Sequence, residues 1–180
     1  MVRRTTSSLA IALLLAAFVS IQSGCGGGPG ADVFYVAMGA SDAVGIGAST
    51  PNQGYVYELA DSLEVRTGKS VGILNLGIPG VEADQIDDTE LPAAVEADPD
   101  LVTLFAGGND IVSGRSVESF ADDMNSILSE LAMETEALVF VATLPALSQL
   151  PRFQMDPDPN VTPERVAAFN DAIRSAAIAH

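Results

Sequence analysis

Four short apolar runs, separated by segments of helical pattern, constrain this chain more than any other feature. They are Val33–Met38, Val71–Leu76, Leu101–Phe105 and Ala137–Ala142. The first ends at Gly39, the second at Gly77, and the third runs into Gly107-Gly108. None alternates polar and apolar residues as a half-exposed strand does. Continuous apolar strands with helices between them imply a parallel sheet covered on both faces. The expected fold class is α/β, a three-layer sandwich around a central parallel sheet.

The intervening segments support this reading. Tyr55, Val56, Leu59 and Leu63 recur at helical spacing, and Gly68 closes that helix. Leu91–Glu96 reads as a short helix. Ser116 is the expected N-cap of a helix over Val117–Glu134, with Phe120, Met124, Ile127, Leu128 and Leu131 on one face. Thr162-Pro163 is a cap followed by a first-turn proline, and the helix it opens is expected to bury Val166, Phe169, Ile173 and Ala177. The acidic stretch Glu82–Glu90 reads as a loop. No internal repeat is present.

Composition excludes several classes of function. The chain has 180 residues, which suits one domain, and 48% of them are hydrophobic, too many for a disordered chain. Acidic residues outnumber basic ones 24 to 8, for a net charge of −16. No Lys/Arg cluster lies beyond Arg3 and Arg4, so a nucleic-acid footprint is not expected. One cysteine excludes an internal disulfide framework and a cysteine-based zinc site. No metal or cofactor is expected. The one histidine is His180.

The N-terminal segment reads as an address. Arg3 and Arg4 precede the apolar run Leu9–Ile21, and Gln22-Ser23-Gly24-Cys25 and a glycine-rich stretch follow. This is the three-part layout of an export signal. The run is shorter than the roughly 20 residues that span a bilayer. Small residues before a lone cysteine are similar to a bacterial lipoprotein cleavage site, although Gln22 stands where leucine is usual. The expected organisation is a signal peptide at 1–24, a lipid-anchored tether at 25–31 with Cys25 modified, and a domain at 32–180. The protein is then exported and membrane-anchored, facing the periplasm or cell exterior. A body this acidic has little attraction for anionic headgroups, so attachment would come from the lipid alone.

In open parallel sheets, ligands bind beyond the carboxyl ends of the strands. Those ends carry Gly39-Ala40-Ser41-Asp42, Asn75-Leu76-Gly77-Ile78-Pro79-Gly80 and Gly107-Gly108-Asn109-Asp110. A serine on a tight strand-to-helix turn presents its Oγ above the sheet. The Ser41 N–H, the Gly80 N–H and the Asn109 side-chain amide are candidate donors to the negative charge that develops on an attacked carbonyl oxygen. One such donor is worth about 3–4 kcal/mol in rate. Each segment alone also suits a structural turn, and Gly107–Asp110 suits a type I′ hairpin turn. No lysine lies near Ser41, as a phosphate-binding Walker loop requires, and Thr50 breaks the dinucleotide pattern begun at Gly45-Ile46-Gly47.

On these residues the chain resembles the SGNH/GDSL hydrolase family of esterases and lipases, from about Val33 to the end. The resemblance implies a flavodoxin-like sheet of order 2-1-3-4-5. It places Ser41 at the nucleophile position, Gly80 at the oxyanion glycine and Asn109 at the oxyanion asparagine. Leu144-Pro145 and Phe169-Asn170 also match. The implied partner is a small-molecule, lipid or carbohydrate ester.

Two departures matter. Ala40 replaces the usual aspartate of the first block, while Asp42 follows the serine. The family's Asp-x-x-His block, which supplies the base and its orienting carboxylate, has no counterpart here. His180 is read as a surface residue, since Ala177 stands three before it, and Asp156 and Asp158 as loop residues. The expectation is a domain that stops before its last strand and helix and is inactive as it stands. The alternatives are a base supplied by a partner chain, or a non-catalytic carbohydrate- or acyl-binding lipoprotein on the same fold. Substrate-lining residues are expected in 46–53, 81–90 and 147–160. Asn160-Val161-Thr162 fits a glycosylation sequon but is read as the cap of the last helix.

Overall fold

The computed structural model describes residues 30–180. The expected export signal, Cys25 and nearly all of the expected tether lie outside the described residues. Four strands, β1 (Val33–Gly39), β2 (Val71–Asn75), β3 (Leu101–Phe105) and β4 (Leu138–Val141), pair in parallel in the order β2-β1-β3-β4. This is the expected order as far as these strands go. The helices are α1 (Ser41–Val44), α2 (Tyr55–Thr67), α3 (Ala83–Thr89), α4 (Leu91–Ala97), α5 (Gly108–Ser113), α6 (Val117–Glu134), α7 (Pro151–Met155) and α8 (Pro163–Ala179).

The pleat of β1 sorts its side chains into two cores. Val36 and Met38 face one side, with Val102 and Leu104 of β3. Ile86, Leu91, Phe120, Met124 and Phe169 from α3, α4, α6 and α8 cover that side. Phe120 and Phe169 stack with centroids 4.5 Å apart. Tyr35 and Ala37 face the other side and pack on Val56 and Ala60 of α2. At the far edge, β4 exposes Leu138 and Phe140 beside an apolar groove of about 540 Å³.

Local signals behave as the sequence predicts at the starts of α6 and α8. The Ser116 side chain caps α6 through the Ser119 N–H, and the Thr162 hydroxyl caps α8 through the Arg165 N–H. Thr162 thus serves as the last helix's cap.

Three expectations are corrected. The stretch Glu82–Glu90 is helical: Glu82 and Gln85 form a reciprocal capping box that opens α3. In α8 the buried residue of the last turn is Ala176, and Ala177 is exposed. The buried stripe runs Val166, Phe169, Ile173, Ala176, a 3-4-3 spacing that follows the helical period. Finally, Gly107–Asp110 does not form a hairpin turn; Gly107 caps α5, and Asn109 lies in that helix's first turn.

Candidate active site

The parallel register brings the ends of β1, β2 and β3 together. Ala37 pairs with Asn75 on one side and Thr103 on the other, and Gly39 pairs with Phe105. The three sequence segments singled out at strand ends therefore meet at one edge of the sheet.

Ser41 opens the single-turn helix α1. The Ala43 and Val44 N–H groups bond back to the Ala40 carbonyl, and Gly45 ends the turn in the left-handed region. Asn75, at the end of β2, fixes this turn from beneath. Its Nδ2 donates to the Ala43 carbonyl at 2.6 Å, and its Oδ1 accepts from the Gly77 N–H at 3.1 Å. The Ile78 N–H donates to the Gly39 carbonyl, which joins the second segment to the first.

Ser41 and Asn109 line one pocket of about 230 Å³, together with Ala40, Asp42, Phe105 and Gly108. Leu144, Pro145, Leu147, Leu150, Arg152 and Phe153 complete its far wall. Gly80 does not line this pocket. It remains coupled to it, because Asn109 Nδ2 donates to the carbonyl of the adjacent Val81 at 2.7 Å. The wall is held by Asn170, whose side chain accepts from the Leu144 N–H at 2.7 Å and donates to the Leu144 carbonyl at 2.9 Å. Leu144-Pro145 and Phe169-Asn170, matched separately in sequence, are thus one structural unit.

The lining differs from the sequence expectation in two of three segments. Of residues 147–160, Leu147, Leu150, Arg152 and Phe153 contribute, and residues 154–160 do not. Residues 46–53 instead border a shallower neighbouring depression that shares Asp42 and Phe105. Residues 81–90 contribute nothing to the pocket, because α3 turns its apolar side into the core.

Two buried carboxyls support the site from behind. The Glu90 Oε2 accepts from the Gly39 N–H at 2.7 Å. Burial pushes this carboxyl up to about 7, against the lowering effect of its backbone donors. Asp110 Oδ1 accepts from the Ala83 N–H at 3.1 Å, tying α5 to α3, and burial pushes it up to about 6. Arg115 lies 3.8 Å from Asp110 and bonds Asp84 at 2.7 Å and Asp123. Sequence reading missed Glu90 and Asp110. The available signal was the spacing Ala83, Ile86, Glu90, which puts the carboxyl on the buried face of a helix.

His180 caps α8 and is exposed. It borders a cavity lined by Ala137, Leu138 and Val139, at the start of β4. That is the opposite end of the sheet from Ser41. The pocket thus combines a serine hydroxyl, an amide donor and an apolar wall, with no histidine among the described residues near them. This arrangement suits attack on a carbonyl carbon.

Comparison with known proteins gives a consistent picture. The sequence profile of the GDSL-like lipase/acylhydrolase family matches residues 37–180. No curated protein matches the chain in sequence. Among solved structures, AlinE4, an SGNH-hydrolase family esterase, superposes with a TM-score of 0.66 at 20% identity, over 82% of this chain and 71% of that one. TesA superposes with a TM-score of 0.64 at 24% identity, covering 81% and 73%. A lipase/acylhydrolase from Enterococcus faecalis gives 0.65 at 21% identity, covering 82% and 72%. At these identities the likeness establishes the fold.

Proposed function

Because the chain belongs to the GDSL-like lipase/acylhydrolase family, a family of ester hydrolases, we propose that Ser41 is its nucleophile, acting on small-molecule esters. The observation that carries this reading is the shared pocket of Ser41 and Asn109 at the carboxyl ends of β1 and β3. Ser41 Oγ attacks the ester carbonyl carbon and loses its proton to a base. The carbonyl oxygen takes the negative charge, against the Asn109 amide and the backbone N–H of Ser41. Collapse expels the alcohol, which takes the proton, and leaves an acyl-serine that water then hydrolyses.

The single histidine stands at the other end of the sheet, so the 180-residue chain holds a nucleophile without its proton acceptor. Turnover by this chain alone is expected to be near zero in a p-nitrophenyl ester assay. Imidazole added to the medium supplies the acceptor. With p-nitrophenyl acetate and imidazole, mass spectrometry is expected to find an acetyl group on Ser41, and none in Ser41→Ala. An unmodified Ser41 under these conditions contradicts the nucleophile assignment.

The intact pocket without a base also favours a second reading, a non-catalytic ligand-binding protein on the same fold. Ligand binding without imidazole-driven acetylation of Ser41 would select it. We also propose that Cys25 carries a lipid that anchors an exported protein to the membrane, on the strength of the leader pattern ahead of it. Incorporation of a palmitate analogue by the parent and not by Cys25→Ser, in a bacterial host, tests that attachment.

A further inference from the structure

Charge is distributed unevenly around the Ser41 pocket. Its lining holds two charged residues, Asp42 on α1 and Arg152 on α7. Cations are scarce in this chain, with eight Lys and Arg in all, and three of the six described are engaged elsewhere. Arg115 is surrounded by Asp84, Asp123, Glu82 and Asp110. Arg165 donates to the Arg115 carbonyl, and Arg174 pairs with Asp171. Arg66 and Lys69 lie at the end of α2 and just beyond it, away from Ser41. Among the described residues, Arg152 has no ion-pair partner; its guanidinium rests over the Phe153 ring, 5.0 Å from the centroid.

What sets Arg152 apart is its place: it is the one cation in the lining of this pocket, in a chain with a net charge of −16. The overall field repels anions, so only a local cation can draw one into this pocket. Guanidinium binds a carboxylate through two parallel N–H donors. Leu147, Leu150 and Phe153 line the same wall and offer apolar surface to the short chain of such an ester. Asp42, adjacent to Ser41, disfavours an anion at its own end and directs it toward α7. A carboxylate carries one charge, whereas a phosphate monoester carries nearly two at neutral pH and is repelled more by the acidic body. The volume of about 230 Å³ lies below the usual range for drug-sized ligands and fits a small ester.

Resting on the ester-hydrolase reading of the same pocket, we propose that Arg152 is a specificity-determining residue that selects short esters bearing a carboxylate. The ester carbonyl lies at Ser41 and Asn109, and the carboxylate lies at Arg152.

Binding to the 180-residue chain tests this without requiring turnover. The isotope-labelled chain is titrated at about pH 7.5 with monomethyl glutarate, a carboxylate ester, and with dimethyl glutarate, its neutral counterpart. Backbone amide shifts of Ser41, Asn109 and Arg152 report the site. The monoester is expected to bind about tenfold more tightly than the diester, in line with a charge-assisted bidentate contact. Arg152→Gln should erase that preference, Arg152→Lys should keep part of it, and added salt should weaken it. Arg152 is exposed, so these variants keep the fold. Equal binding of the two esters, or a preference that survives Arg152→Gln, overturns the role of Arg152 and leaves the hydrolase reading standing. If neither ester shifts the Ser41 and Asn109 amides, the pocket is not an ester site and both readings fall together.

Discussion

The buried carboxyl of Glu90 holds the backbone of Gly39, accepting its N–H at 2.7 Å where β1 turns into the helix of Ser41. Glu90 is 1% exposed, and its second oxygen has no partner. A carboxyl in this position is favoured protonated. It therefore makes the fold sensitive to pH from a point directly behind the candidate nucleophile.

The sign of that sensitivity is fixed by the direction of the shift. The Glu90 carboxyl is raised from an ordinary 4.5 to about 7 by burial. The folded state keeps its proton to higher pH than the unfolded state does. The stabilising contribution is full below about pH 4.5 and is lost as pH rises through 7, for about 3 kcal/mol in all. Glu90→Gln keeps the shape and cannot ionise. In urea titrations the variant should match the parent near pH 4.5 and exceed it by up to about 3 kcal/mol near pH 8. A gap that does not change with pH would refute the raised carboxyl.

Gly39 tolerates no side chain. Its φ is 137°, and an added Cβ would lie 2.4 Å from the Phe105 carbonyl oxygen. That oxygen belongs to the neighbouring strand and cannot retreat without breaking the β1–β3 pairing. Gly39→Ala is expected to cost about 3 kcal/mol in urea unfolding. It should also reduce imidazole-driven acetylation of Ser41, since the turn that carries the hydroxyl must shift.

Asn109 separates chemistry from stability. Its side chain is half-buried and makes one bond, to the Val81 carbonyl at 2.7 Å. Asn109→Ala should cost about 1 kcal/mol of stability. Loss of an oxyanion donor should lower the rate of Ser41 acetylation by about 10²–10³-fold. A variant that acetylates at the parental rate would remove Asn109 from the mechanism.

Phe120 links the core to the site. It is fully buried, stacks on Phe169, and its ring packs against Gly107, which starts the helix of Asn109. Phe120→Ala leaves a cavity next to that turn and is expected to cost about 3–5 kcal/mol. Chemical denaturation measures the loss. Phe120→Leu, which refills most of the volume, should recover the greater part of it.

The fold was legible because its signals are local. Each strand announces itself as an apolar run, and Ser116 and Thr162 carry the hydroxyls that start α6 and α8. The candidate nucleophile and amide donor were legible for a related reason: ligand sites in this architecture follow strand ends, and strand ends can be read along the chain. Where local signals compete, reading fails. The charge-rich Glu82–Glu90 looks like a loop, and only its capping box and the apolar side it packs inward make it a helix.

Sequence by itself determined the α/β class and the three segments that meet near Ser41, while the strand order as far as β4 came from the family resemblance those segments carry. Tertiary structure alone decided the rest. It set Glu90 and Asp110 behind the turns they support, across 51 and 27 residues of chain. It moved the pocket wall onto Leu144–Phe153 and left residues 81–90 out of it. It also put His180 at the wrong end of the sheet for Ser41. The physical reason is the same in each case. Burial and proximity between distant segments depend on how helices pack across the sheet, and the periodicity of a single segment carries no record of its partner.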